Sequence, residues 1–259
     1  MIELKNGFSR QRVYASDISL LDFVIPATYQ HFEGDNIPPF YKKTVRHTNV
    51  IDLTQDMDTI LGKMKSNTRN EVRRGEREGI ICEYSEGLSE FVPFYNAFAK
   101  EKGLDDNLTE KSIRRYGKVI IGIAKFNDSV LSMHATAFDM QLKKAMLLYS
   151  CSPRLVEGVD KKMIGWGNRL LHFKEFEHFK QMGMKEYDWN GVCLDPEEIE
   201  KYNIGQFKQA FGGENKENIW LYSPLYRMLA GLKRFVRRKK LQNTDIQIDK
   251  QCRGGNSSI

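Results

Sequence analysis

Three apolar runs between residues 119 and 150 constrain this chain more than any other feature. Residues 119–126, 130–138 and 143–150 have strand length and strand composition, separated only by Asn127-Asp128 and a short polar link. Links that short join antiparallel neighbours, so the stretch predicts a three-stranded β meander. A helix is expected over 164–182, stopped by Gly183, and a strand over 186–192. Upstream, helix chemistry runs from Thr54, a candidate N-cap, to about Glu78, where Gly79 stops it. A strand at 80–84 and helices at 88–102 and 109–116 follow. Residues 23–26 and 45–53 are short strand candidates on either side of Pro38-Pro39. After Asp195-Pro196 a helical stretch reaches Phe211 with a break near Gly205, and 218–222 closes the set as a strand. The expected fold class is therefore α/β (α+β), a mixed, mainly antiparallel sheet flanked by helices.

Charge divides the chain more sharply than hydropathy does. Residues 223–242 hold Arg227, Lys233, Arg234, Arg237, Arg238, Lys239 and Lys240 with no acid. The chain total is +6 and the tail 243–259 is balanced, which leaves −1 for residues 1–222. A near-neutral body argues against a broad nucleic-acid-binding surface. Leu225, Leu229, Leu232 and Val236 form one stripe of the basic segment, so 223–242 suits either an anionic membrane surface or docking on the domain. The expected divisions are a short N-terminal lobe (1–55), a main domain (56–222), the basic amphipathic helix (223–242) and a disordered tail (243–259). No apolar run is long enough to span a bilayer, and the N-terminus lacks a secretory pattern, so a cytoplasmic protein is expected, peripheral at most. Cys82, Cys151, Cys193 and Cys252 form no C-x-x-C pair and the five histidines no H-x-x-x-H pair, so no metal is expected.

Several groups carry candidate chemistry. Lys208 lies between Phe207 and Phe211 with Gly212-Gly213 behind it, one cation in apolar surroundings that either serves a site or closes a helix. Lys161-Lys162 with Gly165, Gly167 and Asn168 precede a helix, as a phosphate-binding turn or a plain one. Asn168, Arg169 and His172 share a helix face, beside an apolar face of Leu170, Leu171, Phe173 and Phe176. Asp188, in an alternating strand with Tyr187, Trp189 and Asn190, is either a general base or a binder of loop amides. His134, on one strand face with Ser132 and Thr136, is a second base candidate, and Tyr149 a proton donor to a leaving group. Lys65, Arg69, Arg73 and Arg77 form a basic stripe that reads as a solvated face or a phosphate contact.

In this order the pieces resemble the Fem family, aminoacyl transferases within the GNAT acyltransferase superfamily. Residues 64–222 carry the resemblance, in Thr68-Arg69-Asn70-Glu71-Val72-Arg73-Arg74, Tyr149-Ser150-Cys151-Ser152, Leu170-Leu171-His172-Phe173, Tyr187-Asp188-Trp189-Asn190-Gly191 and Phe207-Lys208-Gln209-Ala210-Phe211-Gly212-Gly213. Gly165-x-x-Asn168-Arg169-Leu170-Leu171-His172 is similar to the small Fem-like N-acyltransferases of surface-polysaccharide pathways. Asn190 stands where Fem proteins have a glycine. The resemblance implies a GNAT-like sheet and transfer from acyl-CoA to an amino sugar on a nucleotide- or lipid-linked precursor. The alternatives are aminoacyl transfer from tRNA to a peptidoglycan precursor and a non-catalytic, membrane-peripheral binding subunit. It implies a binding or catalytic role for Lys208 alone; the residues themselves add Asp188, His134 and Tyr149 as catalytic candidates, and Lys162, Gly165, Gly167, Asn168 and Arg169 as donor-binding ones. Substrate binding falls to His172, Asn190, Arg69 and Phe207.

Overall fold

Apolar residues alternate or recur along most of the chain, and in the computed structural model that pattern is spent on one sheet face after another. The structure describes residues 1–6, 8–104, 107–153, 160–232 and 234. In chain order the elements are β1 (Ile2–Asn6), β2 (Ser9–Val13), β3 (Ala27–Gln30), β4 (Lys42–Asp52), α1 (Met57–Lys63), α2 (Ser66–Arg77), β5 (Ile81–Ser85) and α3 (Phe91–Lys102). They continue as α4 (Glu110–Arg114), β6 (Lys118–Phe126), β7 (Ser129–Asp139), β8 (Lys144–Cys151), α5 (Lys161–Gln181), β9 (Glu186–Asp188), α6 (Ile199–Gln209) and β10 (Glu214–Tyr222). They form two compact units, residues 1–4 with 45–219 and residues 5–44 with 220–259.

In the larger unit the strand order is β4–β9–β8–β7–β6–β5. The meander forms as expected, with β6, β7 and β8 antiparallel in sequence. β8 and β9 are parallel, because the long helix α5 carries the chain back across the sheet between them. Their pairing is short. It covers Lys144↔Glu186, Ala145↔Tyr187 and Met146↔Asp188 and then ends. Beyond it Trp189 N–H bonds the Asn49 carbonyl and Val192 bridges to His47, so the chain stays with β4 while β8 runs on to Cys151. The two parallel strands thus part at Met146 and Asp188. In β8 the register shifts between Ala135↔Tyr149 and Thr136↔Leu147, which makes Leu148 the extra residue of a β-bulge beside that opening.

α5 lies between the sheet and α2 and buries Leu170, Leu171, Phe173, Phe176 and Phe179. The 164–182 helix is therefore longer than expected. It begins at Lys161, capped by the Asp160 carboxylate, and Gly165 and Gly167 lie inside it rather than in a turn before it. At Gly167 a β-carbon would sit 2.8 Å from a Leu131 methyl, so this glycine lets the helix lie close on β7.

Three other expectations change. The helix over 54–78 is two helices: Asp56, not Thr54, caps α1, and the chain turns extended at Met64. There Met64 is buried and Lys65 N–H bonds the Ala210 carbonyl at 2.9 Å, a tertiary bond that overrides local helix propensity. α6 runs unbroken through Gly205, whose hydrogen faces the Cys193 carbonyl where a β-carbon would lie at 2.5 Å. The strand at 23–26 is instead a 3-10 turn, Leu20–Phe23, and the strand starts at Ala27.

In the smaller unit β2 pairs parallel with β3, and the end of β10 pairs antiparallel with β3 through Leu221↔Tyr29 and Tyr222↔Thr28. Residues 224–232 are helical. Most of the expected basic helix at 223–242 beyond them, and all of the tail 243–259, lie outside the described residues.

Candidate active site

Asp188 and the four residues after it build a turn that a lysine then holds. Asp188, 3% exposed, accepts hydrogen bonds from the Thr48 hydroxyl and, at 2.7 Å, from the Asn190 N–H. Thr48 Oγ1 in turn accepts from Gly191 N–H at 3.2 Å. Asn190 and Gly191 both take left-handed backbone, at φ 52° and 96°. Asparagine is among the few non-glycine residues that tolerate this region.

Lys208, on the last turn of α6, donates to the Trp189 carbonyl at 2.8 Å and the Gly191 carbonyl at 2.7 Å. Burial pulls its pKa down to about 8, against the opposing pull of Asp188. The third N–H of the ammonium has no partner among the described residues. A half-buried cation with a lowered pKa and one unspent donor is suited to meeting developing negative charge. Gly212 and Gly213 make their close approaches to protein rather than ligand. A β-carbon on the first would sit 2.4 Å from the Lys63 carbonyl, and on the second 2.3 Å from Asn49 Oδ1. On the far side of the turn lies a cavity of about 760 Å³, lined by His47, Gly191, Val192, Leu194 and Ile204 among others.

One residue earlier, Tyr187 points to the opposite face, as strand alternation requires, and joins a different polar cluster. Its hydroxyl donates to Glu175 Oε2 at 3.0 Å. The same oxygen faces His134 Nδ1 at 3.0 Å and His172 Nδ1 at 3.4 Å. His134 Nε2 lies 2.9 Å from Asn168 Oδ1 and 3.1 Å from Ser132 Oγ. His134, Glu175, His172, Tyr187 and Ser132 are all buried. Burial works to raise the Glu175 pKa, but the His134 and His172 imidazoles beside it outweigh burial and hold it at about 2. Burial and the neighbouring His134 push His172 down to about 3. Gly122 makes room for the carboxylate, since a β-carbon there would lie 2.8 Å from Glu175 Oε1. His134, His172 and Glu175 bring metal-ligand atoms within 4.8 Å of one another. Their imidazoles are stacked, with centroids 3.9 Å apart and planes at 24°, and the Glu175 carboxylate oxygen itself occupies the point that both Nδ1 atoms face.

The other expected site residues are dispersed. His134 is sealed in this network with both ring nitrogens engaged. Asn168 belongs to the network, and His172 stacks between His134 and Trp189. Arg169 pairs with Glu71 at 2.9 Å and lies over the Phe207 ring at 5.1 Å. Arg69 donates to the Gly62 carbonyl at 3.0 Å, tying down the end of α1. Lys162 is exposed on the first turn of α5, where Asp160 already accepts from the Lys162 and Met163 N–H groups. A carboxylate thus holds the anion position there. Tyr149 lies on β8 one residue past the bulge, edge-on to Tyr95 at 5.1 Å. Lys208, Asp188 and Asn190 are the expected residues that the fold gathers at one turn.

Sequence reasoning passed over Glu175, Thr48 and the Leu148 bulge. Glu175 had a signal: it is the one acid at an apolar-face position of α5, three residues after His172 and four after Leu171. Cys151, in the motif after Tyr149, offers no nucleophile: it is buried, its thiol bonds the Met133 carbonyl, and burial pushes its pKa up.

No protein-family profile matches the chain, and no curated protein matches it in sequence. Solved structures do. FemX matches with a TM-score of 0.59 at 15% identity, over 78% of this chain and 68% of its own. The fold is the Fem-like, GNAT-type fold. The C-terminal domain of a proposed lysylphosphatidylglycerol synthetase from Agrobacterium fabrum matches at 0.58 and 12%, over 90% of this chain and 83% of its own. The lysylphosphatidylglycerol synthetase of Bacillus licheniformis matches at 0.58 and 13%, over 85% and 79%. The Fem-like fold therefore persists at identities where only its layout is shared.

Proposed function

We propose that the protein is an N-acyltransferase. It transfers an acyl group from acyl-CoA to a primary amine, that of an amino sugar on a nucleotide- or lipid-linked envelope precursor. The observation that carries this reading is Lys208 on the Trp189–Gly191 carbonyls, beside the point where β8 and β9 part. A thioester carbonyl in that opening meets the backbone freed by the Leu148 bulge on one side and the Lys208 ammonium on the other. The amine attacks the carbonyl carbon, the C–N bond forms, and the C–S bond breaks. The amine's proton leaves to water, the departing thiolate takes a proton from Tyr149, and water returns a proton to the Tyr149 phenolate. Asp188 holds the turn and keeps Lys208 charged, while His134 serves the buried framework. With the Lys162 and Met163 N–H groups at the start of α5 taken by Asp160, the exposed Lys162 side chain is left there to meet the donor's pyrophosphate, and the cavity beyond Gly191 takes the acceptor.

The likeness to FemX and to lysylphosphatidylglycerol synthetases favours a second reading, aminoacyl transfer from a tRNA-borne donor. The near-neutral body opposes it, because tRNA affinity comes mainly from cations set against phosphates. Thermal melts with acyl-CoA and with aminoacyl-tRNA separate the two, since a ligand held only by the folded state raises the melting temperature. Stabilisation by acyl-CoA alone is expected. Stabilisation by aminoacyl-tRNA alone overturns the first reading in favour of the second.

A further inference from the structure

The smaller unit contains a turn that is inside out. Residues 20–24 read Leu-Leu-Asp-Phe-Val, and the charged residue is the one buried. Asp22 is 0% exposed, whereas Leu20 is 85%, Leu21 53%, Phe23 41% and Val24 72% exposed. Chemistry fixes the inversion. The Asp22 carboxylate accepts from Arg12 Nε at 2.8 Å and from the Tyr29 hydroxyl at 2.5 Å, and Tyr41 donates to its backbone carbonyl at 2.9 Å. Reversing the turn would strip the Asp22 carboxylate from its buried partners Arg12 and Tyr29, which costs more than burying the leucines would gain.

The exposed residues gather at one end of the unit. Phe40 is half exposed and its ring lies 5.7 Å from Phe23. Arg10 N–H bonds the Pro26 carbonyl, so Phe8, which precedes β2 and is 94% exposed, lies at the same strand end as Val24. The C-terminal helix also starts there, because Ser223 N–H bonds the Ala27 carbonyl and Ser223 Oγ accepts from Ala27 N–H. That helix shows Leu225, Met228, Leu229 and Leu232 on one stripe, with the last three exposed.

We propose that this end of the smaller unit seats in the headgroup layer of an anionic lipid bilayer. Exposed apolar side chains gathered at one end suit acyl chains. Residues 223–242, which include the C-terminal helix, carry Arg227, Lys233, Arg234, Arg237, Arg238, Lys239 and Lys240 and no acid, the charge that complements anionic headgroups. The contact is interfacial, since no helix among the described residues is long and apolar enough to cross a membrane. This inference rests on the surface alone and is independent of the acyl-transfer reading.

Flotation of the full chain tests it, with vesicles of phosphatidylcholine alone or with about one third phosphatidylglycerol. The wild type floats with the anionic vesicles and less so in high salt. The variant Leu20→Ser/Phe23→Ser/Val24→Ser, outside the Asp22 ion pair, loses binding by about tenfold or more, and Arg227→Glu by a smaller factor. Melts unchanged from wild type confirm that the variants fold. Three results overturn the proposal: no flotation of wild type with anionic vesicles, equal flotation of the triple variant, or a lipid-free dimer that the triple variant breaks. The last would make a second copy of the chain the occupant. None of them bears on turnover.

Discussion

Tyr187 and Asp188 are neighbours in sequence, yet they serve two clusters of opposite character. Tyr187 enters a sealed network in which Glu175 is shared by His134, His172 and the tyrosine hydroxyl. Asp188 enters a turn that Lys208 holds from a half-buried position with one donor unspent. In the first cluster every ionisable side chain is buried, so its charge serves α5, β7 and β9. The second keeps a partly covered cation with one N–H that has no partner among the described residues. Buried charge holds the framework here, and the half-buried Lys208 is the cation that the proposed chemistry uses.

Variants that cross the two roles break this comparison most directly. Glu175→Ala removes the acceptor shared by His134 and the Tyr187 hydroxyl and is expected to destabilise the fold in denaturant titration by about 1–3 kcal/mol for each buried donor left without a partner. Lys208→Ala is expected to lower kcat by about 10²–10³ while shifting the melt far less. A large loss of stability without a specific loss of kcat would move Lys208 into the framework.

pH sharpens the same contrast. Glu175 has a folded pKa near 2 against an ordinary 4.5, so its contribution to stability is full above about 4.5 and is lost as pH falls toward 2. His172 adds to this acid limb, because unfolding lets it take up a proton as pH falls from 6.5 toward about 3. Lys208 acts at the other end. Its folded pKa near 8 lies below 10.5, so stability rises with pH across that window while turnover falls as the ammonium is lost. Lys208→Arg removes that alkaline fall in the rate profile, and a fall that persists assigns it to another group. Tyr187→Phe is expected to cost about 1–2 kcal/mol of stability, with kcat nearly unchanged. The smallest effect is Asn190→Gly, which relieves a left-handed asparagine and is expected to alter stability by less than about 1 kcal/mol.

Much of the fold was legible because local pattern and tertiary demand agree there. The meander, α3 ended by left-handed Gly103, and α4 capped by Thr109 follow from periodicity and capping alone. The pattern failed where a distant group decided the backbone. Met64 leaves the helix for a bond between Lys65 and Ala210, and Gly205 continues one because the Cys193 carbonyl needs its space. Gly165 and Gly167 suggested a phosphate turn, but one of them serves the contact between α5 and Leu131. At the site, Lys208, Asp188 and Asn190 were readable from an ordered set of motifs. Glu175 and the Leu148 bulge were not, since a buried acid and a register shift depend on what lies across the sheet.

The account turns on Lys208, and one measurement bears on it most directly. Thiol release from acyl-CoA, followed with a panel of amino-sugar acceptors, is to be compared for wild type and Lys208→Ala at equal folded fraction. The account predicts acceptor-dependent release by the wild type and a rate lower by about 10²–10³ in the variant. Equal release by the two proteins would contradict it.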